Sequence, residues 1–198
     1  MQCCSFLLYP PRALGRHKAN LLLSGLNVKH HQWIWLPVAA ISTSVYATTY
    51  FSAEQAQQVI FPGGKLTPAT ATLTDEQAER IEKQSGVNVR HKDIQAWKVA
   101  EGGWFIVDEV VGKHEFITYA VGLNADGSIK QIEIMDYRES YGYQVRDAEW
   151  RQQFVGKTVA DPLKLNQDIR NISGATLSSK HIADGVKRVL ATYAIALK

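Results

Sequence analysis

The chain has 198 residues, of which 45% are apolar and 21% charged, as in an ordinary globular protein. Its formal charge of +3 comes from residues 1–47, which hold four of the 22 basic side chains and none of the 19 acidic ones. The other 18 basic side chains nearly balance the acidic ones, so the sequence excludes a strongly basic, nucleic-acid-binding face. Both cysteines, Cys3 and Cys4, also lie in residues 1–47, so we expect no disulfide and no cysteine metal site elsewhere.

The N-terminal segment has the features of an export signal. Residues 33–47 are uncharged and mostly apolar, and they follow the basic residue Lys29. An apolar run of this length is typical of a signal-peptide core and short for a transmembrane helix. Residues 45–47, Val-Tyr-Ala, have the small–x–small form of a cleavage site. We therefore predict cleavage after Ala47, a periplasmic location and a single domain over residues 48–198. An uncleaved inner-membrane anchor formed by residues 33–47 is the alternative.

Residues 1–27 precede this signal and fit none of its parts. No methionine lies between Met1 and Met135, so an internal start would have to use another codon. We expect translation to begin at Val28, read from a GTG codon, which would make residues 28–47 the complete signal peptide.

Two short helices are predicted next. Residues 52–55, Ser-Ala-Glu-Gln, form a capping box, in which two side chains satisfy backbone N–H groups reciprocally, and they open a helix that ends near Ile60. Residues 74–77, Thr-Asp-Glu-Gln, form a second box, and its helix ends near Gln84. We expect both helices at the periphery of the domain.

The middle of the chain is rich in β-branched and aromatic residues, which favour strands. We expect Trp97 to be buried in the first strand, and the Asp126-Gly127 pair is a strong hairpin signal before the last one. The predicted strands form an antiparallel meander over Ile94–Val99, Trp104–Val111, Phe116–Leu123 and Ile129–Met135.

Two further helices are predicted after the strands. Residues 147–154 form a short helix with Asp147 as its N-cap, and residues 178–197 form a longer one with apolar side chains at helical spacing. A helix placed after a meander covers one face of the sheet. The predicted fold class is therefore α+β, an antiparallel β-sheet with short N-terminal helices and a C-terminal helix packed on the sheet.

Small and hydroxyl residues crowd the start of the last helix, over residues 171–179. The free N–H groups and partial positive charge of a helix N-terminus favour a phosphate or another anion. Ser173, Thr176 and Ser178 are equally suited to act only as N-caps, which serine and threonine do well. Physical chemistry alone leaves both interpretations open.

Other candidates for chemistry are weaker. His91, His114 and His181 have no metal-ligand spacing, and we expect each to be structural or solvated. No phosphate-binding or dinucleotide-binding glycine pattern is present. The loop at residues 138–143 places two tyrosines around a glycine, which suits either a planar ligand or a tight turn with aromatic cover.

Residues 173–179, Ser-Gly-Ala-Thr-Leu-Ser-Ser, resemble the flavin-attachment motif of the FMN-binding domain family. This domain occurs in the C and G subunits of the bacterial Nqr and Rnf electron-transport complexes and in small standalone exported proteins, to which the chain looks most similar. Residues 139–142, Glu-Ser-Tyr-Gly, are similar to a Glu-Thr-Pro-Gly segment that lies against the flavin in the family.

In that family the motif threonine carries FMN through a phosphoester, which a separate Mg²⁺-dependent flavin transferase forms from FAD. The resemblance therefore implies FMN as the cofactor, Thr176 as its attachment point and the transferase as a partner in maturation. It implies no catalytic residue and no metal ligand. The implied cofactor-binding residues are Thr176, Ser173, Gly174, Ala175, Leu177, Ser178, Glu139, Tyr141 and Gly142.

One position departs from the family's pattern. The family has Asp three residues before the motif serine, where this chain has Arg170, and the nearest acid is Asp168. Either Asp168 takes over that role from a shifted register, or Arg170 pairs with the phosphate. Non-covalent FMN is the alternative within the same family.

The resemblance implies an exported FMN-binding electron-transfer flavoprotein that acts as a carrier more than as a turnover enzyme. Its redox partner would be another electron-transport protein, such as one in the membrane. The alternatives are a flavin-dependent reductase with non-covalent FMN and an exported binding or adaptor domain without a cofactor.

Overall fold

The computed structural model of the protein describes residues 48–198. The helices are α1 (Ala53–Ile60), α2 (Asp75–Ser85), α3 (Ala148–Arg151) and α4 (Thr176–Thr192). The strands are β1 (Thr48–Thr49), β2 (Leu66–Pro68), β3 (Ala71–Thr72), β4 (Asp93–Val99), β5 (Trp104–Val111), β6 (Phe116–Leu123) and β7 (Ile129–Tyr137). Short 3₁₀ turns lie at Tyr143–Arg146 and Gln152–Phe154, and a π-helical turn lies at Tyr193–Leu197.

The sheet is antiparallel, and its centre is the predicted meander of β4, β5, β6 and β7. The longest pairing joins β5 and β6, from Trp104 opposite Leu123 to Val111 opposite Phe116. The order along the sheet is β1-β7-β6-β5-β4-β2, and β3 pairs with β4 beside β2. Gly127 closes the predicted turn between β6 and β7 with a φ of 85°, a conformation that favours glycine.

Helices cover both faces of this sheet. α4 packs its apolar stripe, which includes Ile182 and Val186, against one face, and α1 packs Ile60 against the other. Both capping boxes form as predicted, with Ser52 and Thr74 as the N-caps of α1 and α2. The α+β class with an antiparallel sheet and a packed C-terminal helix is therefore confirmed.

Three local predictions differ from the structure. Trp97 is half-buried, because it packs edge-on against Phe105 on the face that the short helix α1 covers. The helix predicted over residues 147–154 is one turn of α-helix continued as a 3₁₀ turn, and the Asp147 side chain caps neither. The last helix begins two residues before its predicted start at Ser178.

Within residues 48–198, no helix combines the length and apolar character that a bilayer-spanning helix requires. The predicted signal peptide, residues 28–47, and the alternative anchor, residues 33–47, lie outside the described residues.

Candidate functional site

α4 begins without a side-chain cap. Ala175 occupies the N-cap position, and its methyl group offers no acceptor to the first turn of the helix. Thr176 and Ser178 lie within the first turn of the helix, and the Ser178 hydroxyl lies 3.2 Å from the phenol oxygen of Tyr137. The interpretation of Ser173, Thr176 and Ser178 as N-caps is therefore wrong. Since the first N–H groups of a helix have no intrahelical partner, this end can receive an anion.

The loop that follows β7 is fastened to this helix end. The Tyr137 hydroxyl donates to the backbone carbonyl of Tyr141 and also meets Ser178. Gly142 adopts a φ of 90°, and a Cβ there would lie 2.7 Å from the Tyr137 hydroxyl and 2.8 Å from the Ala175 Cβ. Only glycine fits between the loop and the helix at this point.

Glu139 joins the same loop to the turn between β5 and β6. One carboxylate oxygen accepts from the backbone N–H of His114 at 2.5 Å and of Glu115 at 3.0 Å. Burial alone would raise the pKa of Glu139, but these two N–H groups and that of Lys113 lower it below its ordinary value. The carboxylate is therefore ionised at neutral pH and holds the turn in place.

These three segments enclose a cavity of about 390 Å³ at the start of α4, called here the α4 N-terminal cavity. Thr176 is exposed in its wall, while the Tyr141 side chain is 80% and the Leu177 side chain 46% exposed. The lining residues are Lys113, His114, Glu139, Ser140, Tyr141, Gly174, Ala175, Thr176, Leu177 and Ser178.

The structure thus brings together seven of the nine residues predicted to bind the cofactor. Of the other two, Gly142 is buried behind the cavity wall, where it allows the close packing described above. Ser173 is exposed and lies outside the lining. Sequence reasoning missed Tyr137 and Lys113, since neither stands in a motif and only the fold brings them to the helix end.

Asp168, considered as a substitute for the missing acid, and Arg170, considered as a partner of the phosphate, both pair with other residues. Asp168 accepts from the backbone N–H of Lys164 at 2.7 Å and pairs with Lys157 at 3.1 Å, which fixes its own loop. Arg170 pairs with Glu149 at 2.9 Å on the protein surface. Neither residue lines the α4 N-terminal cavity.

His181 and His91 have structural or surface positions, whereas the exposed His114 lines the α4 N-terminal cavity. His181 Nδ1 contacts the backbone carbonyls of Val111 and Gly112, so that nitrogen carries the proton and donates. His91 contacts Glu109 at 3.1 Å on the surface. Among residues 48–198, no group of three or more His, Cys, Asp or Glu side chains is placed to hold a metal ion.

Comparison with known protein families identifies the domain to which the residues lining this cavity belong. Residues 112–191 match the family model of the FMN-binding domain. Residues 112–191 of the chain form an FMN-binding domain. The matched range runs from the turn between β5 and β6 to the last turn of α4. It therefore includes every residue that lines the cavity. FMN is its cofactor. Comparison with curated proteins gave no match.

The residues present fit this cofactor. The cavity volume of about 390 Å³ lies within the usual range for ligand sites, about 300–1,000 Å³. The uncapped start of α4 and the Lys113 ammonium suit a phosphate, while the exposed Tyr141 ring offers a flat apolar surface to an aromatic system. One cavity therefore combines an end that suits a phosphate with an aromatic rim.

Proposed function

We propose that this protein is an exported electron carrier whose FMN is joined to Thr176 Oγ1 by a phosphoester. The observation that carries the proposal is the position of Thr176. It is the first residue of α4, it is exposed, and it lines the cavity that the Glu139–Tyr141 loop completes.

The start of α4 supports a phosphate at Thr176. The helix has 17 residues, so its dipole is fully developed, and its first N–H groups lack a side-chain acceptor. The nearest acidic side chain in the wall, Glu139, is occupied by the backbone of the β5–β6 turn. The electrostatics of the wall therefore favour an anion at this end, with Lys113 adding a positive charge.

The rim of the cavity supports a bound ring system. Tyr141 and Leu177 are large apolar side chains with most or nearly half of their surface exposed, and both line the cavity. Exposed apolar side chains gathered at a cavity are characteristic of binding sites. FMN supplies the redox chemistry, and the chain binds it and orients it.

The groups in the wall favour a carrier over an enzyme. Among the lining residues, Glu139 is the sole carboxylate, and it is committed to backbone N–H groups. His114 is then the lining residue of the type that most often acts in general acid–base catalysis. A flavin-dependent reductase would use it, so steady-state turnover with diffusible acceptors distinguishes the two functions.

The proposal includes a place in the cell and two partners. Residues 28–47 would export the protein to the periplasm, with residues 33–47 as an inner-membrane anchor if they are not cleaved. The flavin transferase would load Thr176, and a membrane electron-transport protein would exchange electrons with the flavin. A covalent link would retain the flavin outside the cytoplasm.

Co-expression with a flavin transferase tests the attachment. Intact mass and in-gel fluorescence would be compared for wild type, Thr176→Val and Ser173→Ala. Ser173 is the matched control, because its exposed hydroxyl stands in the same motif but outside the cavity wall. We expect wild type and Ser173→Ala to gain the mass of one FMN less one water, and Thr176→Val to gain none. Wild-type protein without this mass, or a labelled Thr176→Val protein, would refute the attachment.

A further inference from the structure

Among the described residues, the Thr176 hydroxyl has one side-chain partner, the amide of Asn171. Asn171 Nδ2 lies 3.2 Å from Thr176 Oγ1, five residues away along the chain. We infer that Asn171 is a positioning residue, which holds and polarises the Thr176 oxygen for attachment of the flavin phosphate. This inference rests on the proposed attachment of FMN to Thr176.

The surroundings of the Asn171 amide fix its orientation. Its Oδ1 atom is buried and has no hydrogen-bond partner among the described residues. The opposite orientation of the amide would place two N–H donors in that enclosed position, where one unpartnered acceptor now lies. Fewer polar groups are left unsatisfied when Nδ2 faces Thr176, so Nδ2 donates and Oγ1 accepts. A buried polar group without a partner is rare and calls for an explanation, and a functional role is one such explanation.

The segment that carries Asn171 is anchored on both sides. The backbone of Arg170, just before it, donates to Gln153 Oε1 at 2.6 Å and accepts from Trp150 Nε1 at 2.8 Å. Trp150 is 2% exposed and belongs to the core. After it, the Ala175 N–H donates to the Ile172 carbonyl at 3.0 Å. Asn171 therefore holds the Thr176 side chain against a rigid part of the domain, which is what positioning requires.

The hydrogen bond has a defined role in the attachment. Thr176 Oγ1 forms a bond to the phosphorus of the FMN half of FAD, the pyrophosphate bond to AMP breaks, and AMP leaves with the electron pair. The N–H donated by Asn171 stabilises the negative charge that develops on Oγ1, and it leaves the hydroxyl proton free to depart. An amide cannot take up that proton, and Asp168 is held by Lys157. The proton passes either to His114, which lines the same cavity, or to a base of the transferase.

Flavin loading of purified, full-length variants with the transferase, FAD and Mg²⁺ tests this role. The variants are Asn171→Ala, which removes the amide, Asn171→Asp, which keeps its shape but removes the donor, and Arg170→Ala as the neighbouring control. We expect both Asn171 variants to gain FMN about 10- to 100-fold more slowly at saturating protein, with the half-saturating protein concentration within about twofold of wild type. We expect Arg170→Ala to load at a rate within about twofold of wild type, because its side chain pairs with Glu149 on the surface and lies outside the cavity lining.

A second measurement tests the hydrogen bond itself by NMR. It requires neither flavin loading nor a folded Asn171 variant. In ¹⁵N-labelled protein, the side-chain amide resonances of Asn171 should shift in Thr176→Val, which lacks the acceptor, and stay near their wild-type positions in Thr176→Ser. Resonances that Thr176→Val leaves unmoved would overturn the inference.

The outcomes separate this inference from the proposed function. Wild type and both Asn171 variants loading at equal rates would overturn the role of Asn171 and leave the attachment to Thr176 intact. A wild-type protein that gains no FMN would overturn the attachment and, with it, the reaction that Asn171 is inferred to serve. Slow loading of the Asn171 variants together with the amide shift would support both.

Discussion

The two ends of α4 differ in how completely their polar groups are hydrogen-bonded. At its start, Thr176 is exposed, the first-turn N–H groups lack a cap, and the buried Oδ1 of Asn171 has no partner among the described residues. Twelve residues later, Arg188 is 6% exposed and donates from all three of its nitrogens. In the part of the chain that the structure describes, polar groups therefore lack hydrogen-bond partners at the start of the helix, whereas every nitrogen of the buried Arg188 side chain has one near its end.

The partners of Arg188 explain the satisfied end. Nε and Nη2 donate to one carboxylate oxygen of Asp108 at 3.2 and 2.7 Å, and Nη1 donates to the Asn88 carbonyl at 3.0 Å. The fully buried Tyr119 donates its hydroxyl to the same Asp108 oxygen at 2.7 Å. Burial acts to lower the pKa of Arg188, but the Asp108 charge raises it above its ordinary value, so the guanidinium stays charged.

This contrast indicates which polar groups serve the fold and which serve a ligand. Buried polar groups normally find partners within the protein, so a complete network such as Arg188, Asp108 and Tyr119 stabilises the attachment of α4 to the sheet. Groups left open around a cavity are available to something else. Each of the following predictions changes a residue near one end of α4 and states how the stability of the protein or its affinity for FMN should respond.

The largest effect is expected from Arg188→Met. The substitution would leave Asp108 partly buried without its cation, and breaking a buried ion pair in this way costs about 3–5 kcal/mol. Urea unfolding at neutral pH measures the loss of free energy. Lys180→Met is the control, because its pair with Asp184 is exposed on the same helix, and such pairs contribute about 0.5 kcal/mol or less. Equal effects of the two substitutions would contradict the structural role of Arg188.

The next effect is expected at the junction of the loop and the helix, from Gly142→Ala. The added methyl group would meet Tyr137 and Ala175, so overpacking of about 1–3 kcal/mol adds to about 1 kcal/mol of left-handed backbone strain. Gly156→Ala is matched in strain, since its φ is 79°, but no atom lies within 4 Å of its added methyl group and the residue lies outside the cavity lining. Titration of the unloaded proteins with FMN should show weaker binding for Gly142→Ala and stability loss without a large change in affinity for Gly156→Ala. The same affinity in both variants would show that the packing at Gly142 does not shape the cavity.

The smallest effect concerns Glu139 and depends on pH. Its pKa is lower in the folded protein than its ordinary value of 4.5, because backbone N–H groups overcome the effect of burial. Its contribution to stability is therefore complete above about pH 4.5, and it is lost as the pH falls through the lowered pKa. We expect Glu139→Gln to be destabilised by about 1 kcal/mol at pH 7, and to match wild type once both carry an uncharged side chain in acid. Thermal unfolding from pH 7 to pH 3 measures this, with the exposed Glu115→Gln as the control. A difference between Glu139→Gln and wild type that does not shrink in acid would contradict the assigned role of the carboxylate.

Much of the fold was predictable because its signals are local. The capping boxes at Ser52 and Thr74 and the Asp126-Gly127 turn each depend on neighbouring residues, and the β-rich runs needed only their own composition. The start of α4 was mispredicted for a physical reason. The hydroxyl of Ser178 is engaged by Tyr137, which lies 41 residues earlier, and no local pattern reports such a contact.

The sequence predicted the residues of the site that belong to the two motifs, but not the residues that hold them in place. Most of the residues named from the two motifs line one cavity. The contacts that hold these residues in place follow no sequence motif. Asn171 meets Thr176 because the chain turns back between them, and Glu139 reaches the β5–β6 turn across the sheet. Spacing in the sequence could not show which side chain takes the place of the acid that Arg170 replaces.

The central claim is that the open end of α4 carries FMN on one oxygen, and peptide mapping of the loaded protein tests it most directly. Trypsin cleaves after Arg170 and Lys180, so residues 171–180, Asn-Ile-Ser-Gly-Ala-Thr-Leu-Ser-Ser-Lys, form one peptide with four hydroxyl groups. We predict that this peptide gains the mass of FMN less one water and that fragmentation places it on Thr176. A loaded protein whose peptide is unmodified, or whose label lies on Ser173, Ser178 or Ser179, would contradict the account.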